Sequence, residues 1–90
     1  MIWAVNLRKQ PLKELAKISA EDRERILKAI TKLSQNPFDI SKLDIKKLKG
    51  KAEKWHLRVG EYRVIYEILR TEILIDIIKI GARGDVYKSN

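Results

Sequence analysis

No cysteine occurs among the 90 residues, so neither a disulfide nor a thiolate metal site can brace the chain. With two prolines and four glycines there is no linker, and no internal repeat or low-complexity segment divides it. Residues 1–90 therefore read as a single domain. Long apolar runs are missing too: the longest, Ile73–Ile80, is broken by Asp76 and Lys79 and is far too short to cross a bilayer. The opening Met1-Ile2-Trp3-Ala4-Val5-Asn6-Leu7-Arg8 lacks the apolar stretch and small-residue cleavage site of a secretory signal. These absences predict a soluble, cytoplasmic protein without a membrane partner.

Apolar residues make up 44% of the chain, enough for a modest core, and the formal charge is +8. A field of that sign and size attracts polyanions and exceeds what solubility asks for, which points to nucleic acid. The abundance of Ile, Lys and Glu is a composition also met in thermophiles.

Residues 2–7 read as a first strand. Leu12, Leu15 and Ala16 repeat at helical spacing up to about Ile18, with Pro11 tolerable in a first turn. Ser19 is a plausible N-cap, followed by acids Glu21 and Asp22. From there Ile26, Leu27, Ile30 and Leu33 form one stripe, Glu21–Arg25 and Glu24–Lys28 are favourable pairs, and Asn36-Pro37 stops the helix. Residues 37–51 read as a connector with little regular structure, pinned to the core by Phe38, Ile40, Leu43, Ile45 and Leu48. Strands are predicted at about 53–59, 62–69 and 72–80, joined at Gly60-Glu61 and Arg70-Thr71. The order β-α-α-β-β-β predicts an α+β fold, with two helices packed on one face of a small, mainly antiparallel sheet.

The chemistry is concentrated in Lys54 to Tyr66. With Gly60-Glu61 as a type II′ hairpin loop, Val59 opposes Tyr62, Leu57 opposes Val64 and Trp55 opposes Tyr66 on the helix side. The other face then gathers Lys54, His56, Arg58 and Arg63, with Arg58 directly opposite Arg63. Like charges so placed repel by up to about 1 kcal/mol unless an anion binds, and guanidinium forks suit phosphate. Lys46, Lys47, Lys49 and Lys51, with Lys42, lead into this face as a rim that can track phosphates, diluted only by Asp39 and Asp44. His56, the single histidine, is expected to be neutral near pH 7 among cations and is a usable general base; Lys54 is a second candidate. No clustered pair of carboxylates is legible, so phosphoryl chemistry here is expected to need no metal or other cofactor. That favours RNA, which carries its own 2′-OH nucleophile. In the tail, Gly81 and Gly84 flank Arg83, and Tyr87 can stack on a base or simply anchor the C-terminus.

Leu48-Lys49-Gly50, Trp55-His56-Leu57-Arg58-Val59-Gly60-Glu61-Tyr62-Arg63-Val64-Ile65-Tyr66 and Ile80-Gly81-Ala82-Arg83-Gly84-Asp85-Val86-Tyr87 resemble the RelE/ParE toxin superfamily, and its RelE branch in particular. The resemblance covers essentially the whole chain. It implies a RelE-like fold and mRNA cleavage in the ribosomal A site, by 2′-OH attack to give a 2′,3′-cyclic phosphate and a 5′-OH. It also implies that Arg63 and Arg83 stabilise the phosphorane and that Tyr87 stacks on the substrate. Lys54 matches one of two lysines in the RelE pattern; the other position is His56 here, which leaves the proton acceptor open between them. A cognate antitoxin, RelB-like, acidic and amphipathic, is the implied partner beside ribosome and mRNA. Two alternatives stand beside this: a ParE-like DNA gyrase inhibitor without nuclease activity, and a non-catalytic RNA- or ribosome-binding module.

Overall fold

A computed structural model describes residues 2–82. Along them run β1 (Ala4–Leu7), α1 (Lys9–Lys17), α2 (Ala20–Gln35), β2 (Ile45–Lys47), β3 (Lys54–Val59), β4 (Tyr62–Leu69) and β5 (Leu74–Ala82). The predicted α+β order holds, with one additional short strand.

Helix α2 starts where the sequence places a cap: the Ser19 hydroxyl accepts from the Asp22 N–H at 3.1 Å, and Glu21 and Asp22 lie in the positive first turn. Its inner face buries Ile26, Ile30 and Leu33. Leu27, expected in that stripe, is exposed, because one residue of helical rotation carries it off the inner face. Helix α1 begins earlier than its apolar spacing suggests, at Lys9. Pro11 sits in the first turn, where its missing N–H costs nothing, and is buried with Leu15. Leu12 and Ala16 face outward. The guanidinium of Arg23 donates to the Leu15 and Ile18 carbonyls at 2.7 and 3.1 Å, satisfying acceptors that the end of α1 leaves open.

The sheet has the order β1-β5-β4-β3-β2. Its β2–β3, β3–β4 and β4–β5 pairs are antiparallel; the two helices carry the chain from β1 at one edge to β2 at the other, and β1 pairs with β5 in parallel. β2 corrects the expectation of an irregular connector: Ile45 pairs with Leu57 and Lys46 with His56, covering the polar edge of β3. Of the residues expected to pin the connector, Leu43 is buried, and Phe38 and Ile45 pack on the core. Ile40 instead points to solvent, beside a turn in which Asp39 accepts from the Ser41 N–H. The last hairpin is longer than Arg70-Thr71. Its turn runs through Ile73, a β-branched residue held at φ +52°, so β5 starts at Leu74.

Core residues Leu57, Val59, Val64, Tyr66, Ile68, Ile75, Ile77 and Ile80 meet Leu15, Ile26, Ile30 and Leu33 on the helix side. Each such aliphatic side chain contributes about 1.5–3 kcal/mol. One end of the core is closed by edge-on rings of Trp3, Phe38 and Trp55. Arg70 lies 4.5 Å over Phe38 and grips Glu53 through two 2.7 Å hydrogen bonds. Both faces of the sheet are thus defined: one packed, the other open.

Candidate functional site

The hairpin sets the open face. Gly60 has φ +57° and Glu61 does not share the positive value, as a type II′ loop requires. Val59 pairs with Tyr62, Arg58 with Arg63, Leu57 with Val64, His56 with Ile65, Trp55 with Tyr66 and Lys54 with Glu67. Leu57, Val59, Val64 and Tyr66 are buried toward the helices, so alternation turns Lys54, His56, Arg58 and Arg63 to the other side, as the sequence predicts.

His56 lies in the middle of this face, half-buried, with Lys46 opposite on β2 and Ile65 opposite on β4. Burial pulls its pKa below the ordinary histidine value first, and Arg63, Lys46 and Arg58 add to the fall against an opposing contribution from Asp44. The sequence reading credited the cations alone; burial is the larger cause. Arg63 is half-buried, and its Nε is sealed from solvent with no hydrogen-bond partner among the described residues. Arg58 is held differently. Its Nε donates to the Asp44 carboxylate at 2.6 Å and its backbone N–H to the Asp44 carbonyl at 2.9 Å. Among the described residues the Arg58–Arg63 repulsion is therefore eased on one side only.

Lys54 departs from expectation. It faces Glu67 rather than a ring of cations, and Glu67 in turn pairs with Asp76 on β5. Asp76 is buried; Arg8 donates to it at 2.9 and 2.7 Å and Asn6 at 2.9 Å. Those hydrogen bonds, Arg8 first, hold its carboxyl below the usual range against the cost of burial. The structure thus brings together a pair of carboxylates that sequence spacing does not reveal, with Asp76 already committed to a guanidinium.

Among the rim lysines, Lys46 joins the cationic face. Lys47 has the opposite parity, pairs with Trp55 and acts on Glu53, away from His56. Lys49 and Lys51 are exposed in the loop between β2 and β3. Arg83 and Tyr87 lie outside the described residues; Gly81, opposite Arg63, and Ala82, opposite Tyr62, lead toward them. Sequence reasoning missed Lys79, which pairs with Ile65 and shares the open face with His56 and Arg63. The signal for it is the break in alternation at Ile77-Ile78.

A cationic, partly desolvated face around a neutral imidazole can bind phosphates and accept a proton from a bound hydroxyl. Comparison with known proteins bears on the chain as a whole. The family described as "ParE toxin of type II toxin-antitoxin system, parDE" matches residues 5–87. A putative toxin RelE1 of Methanocaldococcus jannaschii is 35% identical over 99% of both chains. The mRNA interferase toxin RelE of Escherichia coli is 25% identical over 97% of this chain and 92% of its own. In the crystal structure of the archaeal RelE–RelB complex from Pyrococcus horikoshii, the matching chain superposes with a TM-score of 0.83 at 31% identity, over 93% of this chain and 98% of that one.

Proposed function

Because this chain belongs to the ParE toxin family of type II toxin–antitoxin systems, we propose that it is the toxin that cuts mRNA in the ribosomal A site without a metal. The observation that carries this reading is His56, kept neutral in a half-buried position beside Arg63 and Lys46. In the reaction His56 takes the proton from the 2′-OH, whose oxygen attacks the adjacent phosphorus. The bond to the 5′-oxygen breaks, leaving a 2′,3′-cyclic phosphate, and the departing oxygen takes up a proton to become a 5′-OH. Arg63, with Arg83, stabilises the phosphorane charge, which is where fixed donors have most effect. Tyr87 stacks on the substrate base. Lys54, two residues from His56 on the same face, is the alternative proton acceptor. Lys46, Lys47, Lys49, Lys51 and Arg58 supply affinity for RNA and ribosome.

The partner is a RelB-like antitoxin, since solved relatives of this fold are complexes with RelB. Acidic, amphipathic character in that antitoxin would complement the +8 charge. The ParE name of the matching family favours a second reading, inhibition of DNA gyrase without cleavage. Adding the protein to a translating extract and mapping mRNA ends by primer extension separates the two. Codon-positioned cuts ending in a cyclic phosphate, lost in Arg83→Ala, support the nuclease. Intact mRNA together with blocked supercoiling supports the gyrase inhibitor.

A further inference from the structure

Strand β5 carries one residue more than β4 can pair. Ile65 faces Lys79 and Tyr66 faces Ile77, so Ile78 is a β-bulge. Side chains alternate along a strand, and one inserted residue reverses every side chain after it. Without the bulge, counting from the core residue Ile77, Lys79 would point into the core and Ile80 out of it. With it, Ile80 pairs with Val64, both fully buried, and Lys79 pairs with Ile65 on the open face. The neighbouring backbone is clamped: Gln10 donates to the Ile80 carbonyl at 2.8 Å and accepts from the Ile80 N–H at 2.9 Å. A side chain thus replaces the ladder beyond Leu7, where β1 ends.

Lys79 stands diagonal to Arg63, whose direct partner is Gly81. Diagonal neighbours lie about 7–8 Å apart, a span that a lysine stem covers easily. Among the described residues no ion pair holds Lys79, whereas Arg8, Arg25, Lys28, Arg58 and Arg70 all have carboxylate partners. We infer that Lys79 binds the RNA phosphate next to the one gripped by Arg63, and that the Ile78 bulge exists to deliver it there. Two cations one diagonal step apart form a track for consecutive phosphates of a single strand. The assignment rests on the nuclease reading and adds a binding residue to it.

Single-turnover cleavage of mRNA on programmed ribosomes tests it, with toxin concentration varied for wild type, Lys79→Gln and Lys79→Arg. Lys79→Gln should raise the concentration giving half-maximal rate about three- to tenfold while leaving the limiting rate within about twofold, and Lys79→Arg should restore it. On mRNA with a neutral methylphosphonate at the flanking position, tried on each side of the cut, the difference between wild type and Lys79→Gln should vanish for one of the two. An unchanged half-maximal concentration for Lys79→Gln, or a defect that persists on both modified messages, overturns the assignment. A wild-type protein that cuts no mRNA removes the nuclease reading itself, a result distinct from either.

Discussion

The identity of the proton acceptor is open to a direct kinetic test. An imidazole at the ordinary pKa of about 6.5 is already about three-quarters neutral at pH 7. In the fold His56 lies lower, through burial first and then through Arg63 and Lys46, so more than that share is in the basic form. Raising the pH from 7 to 8.5 can therefore increase a His56-dependent rate by less than about 1.3-fold, and the acid limb of the profile must fall below the ordinary histidine range. An amine base of ordinary lysine pKa behaves in the opposite way, gaining close to tenfold per pH unit over the same interval. His56→Gln keeps side-chain volume and removes the base, and should slow cleavage by about 10²–10⁴, equivalent to about 3–5.5 kcal/mol of barrier. The assay is single-turnover cleavage on programmed ribosomes between pH 5.5 and 9, with ribosome integrity followed in parallel. A steep rise above pH 7, or a loss of only a few-fold in His56→Gln, would refute His56 as the base and move the role to Lys54.

Other consequences are simpler to read. Arg63→Met, which keeps the aliphatic stem, should lower cleavage by about 10²–10³ yet raise stability to urea by about 1 kcal/mol, since it removes both an N–H buried without a partner among the described residues and the repulsion with Arg58. Tyr66→Phe should also stabilise by about 1 kcal/mol, because the Tyr66 hydroxyl is buried without a partner among the described residues; a loss of stability of that size would expose a missed hydrogen bond. Asp76 has its pKa lowered in the fold by Arg8 and Asn6, so its stabilising effect is complete above the unfolded carboxylate range and disappears as pH falls through the lower folded value. Urea midpoints measured from pH 6 to pH 2 should show that decline in the wild type and a flatter one in Asp76→Asn.

How far the sequence discloses this fold depends on how local the determining signal is. The β3–β4 register follows from Gly60 and from strict alternation between Trp55 and Tyr66, and both are contained in one hairpin. Helix α2 is equally self-declared, by Ser19 at one end and Asn36-Pro37 at the other. β2 is hidden because three residues carry no period and its stability comes from the edge of β3. Charges tell less still. Lys54 sits in a run of basic residues, yet its neighbour across the sheet is Glu67, and Asp76 is satisfied by Asn6 and Arg8 some seventy positions away. Lys79 looks from the sequence like an interruption in an apolar strand. The two successive isoleucines before it permit either phase, and only pairing with β4 settles which side it takes.

That pairing also divides the open face into halves of different character. In the row that crosses from β1 to the start of β3, Asn6, Arg8 and Lys54 flank the two neighbouring carboxylates of Asp76 and Glu67, so opposite charges are matched there without any ligand. Toward the hairpin, Lys46, His56, Arg58, Arg63 and Lys79 come together, and Asp44, the acid that acts on His56, is already held by Arg58. A fold selected for stability alone would place an acid or a neutral residue opposite Arg58. Among the described residues the repulsion and the partnerless guanidinium N–H instead persist, where a bound phosphate would relieve both. A rise in stability coupled to a loss of cleavage in Arg63→Met would identify that half of the sheet as strained for binding. The same substitution destabilising the fold would assign Arg63 to the architecture, leaving cleavage to be explained from His56 and the tail.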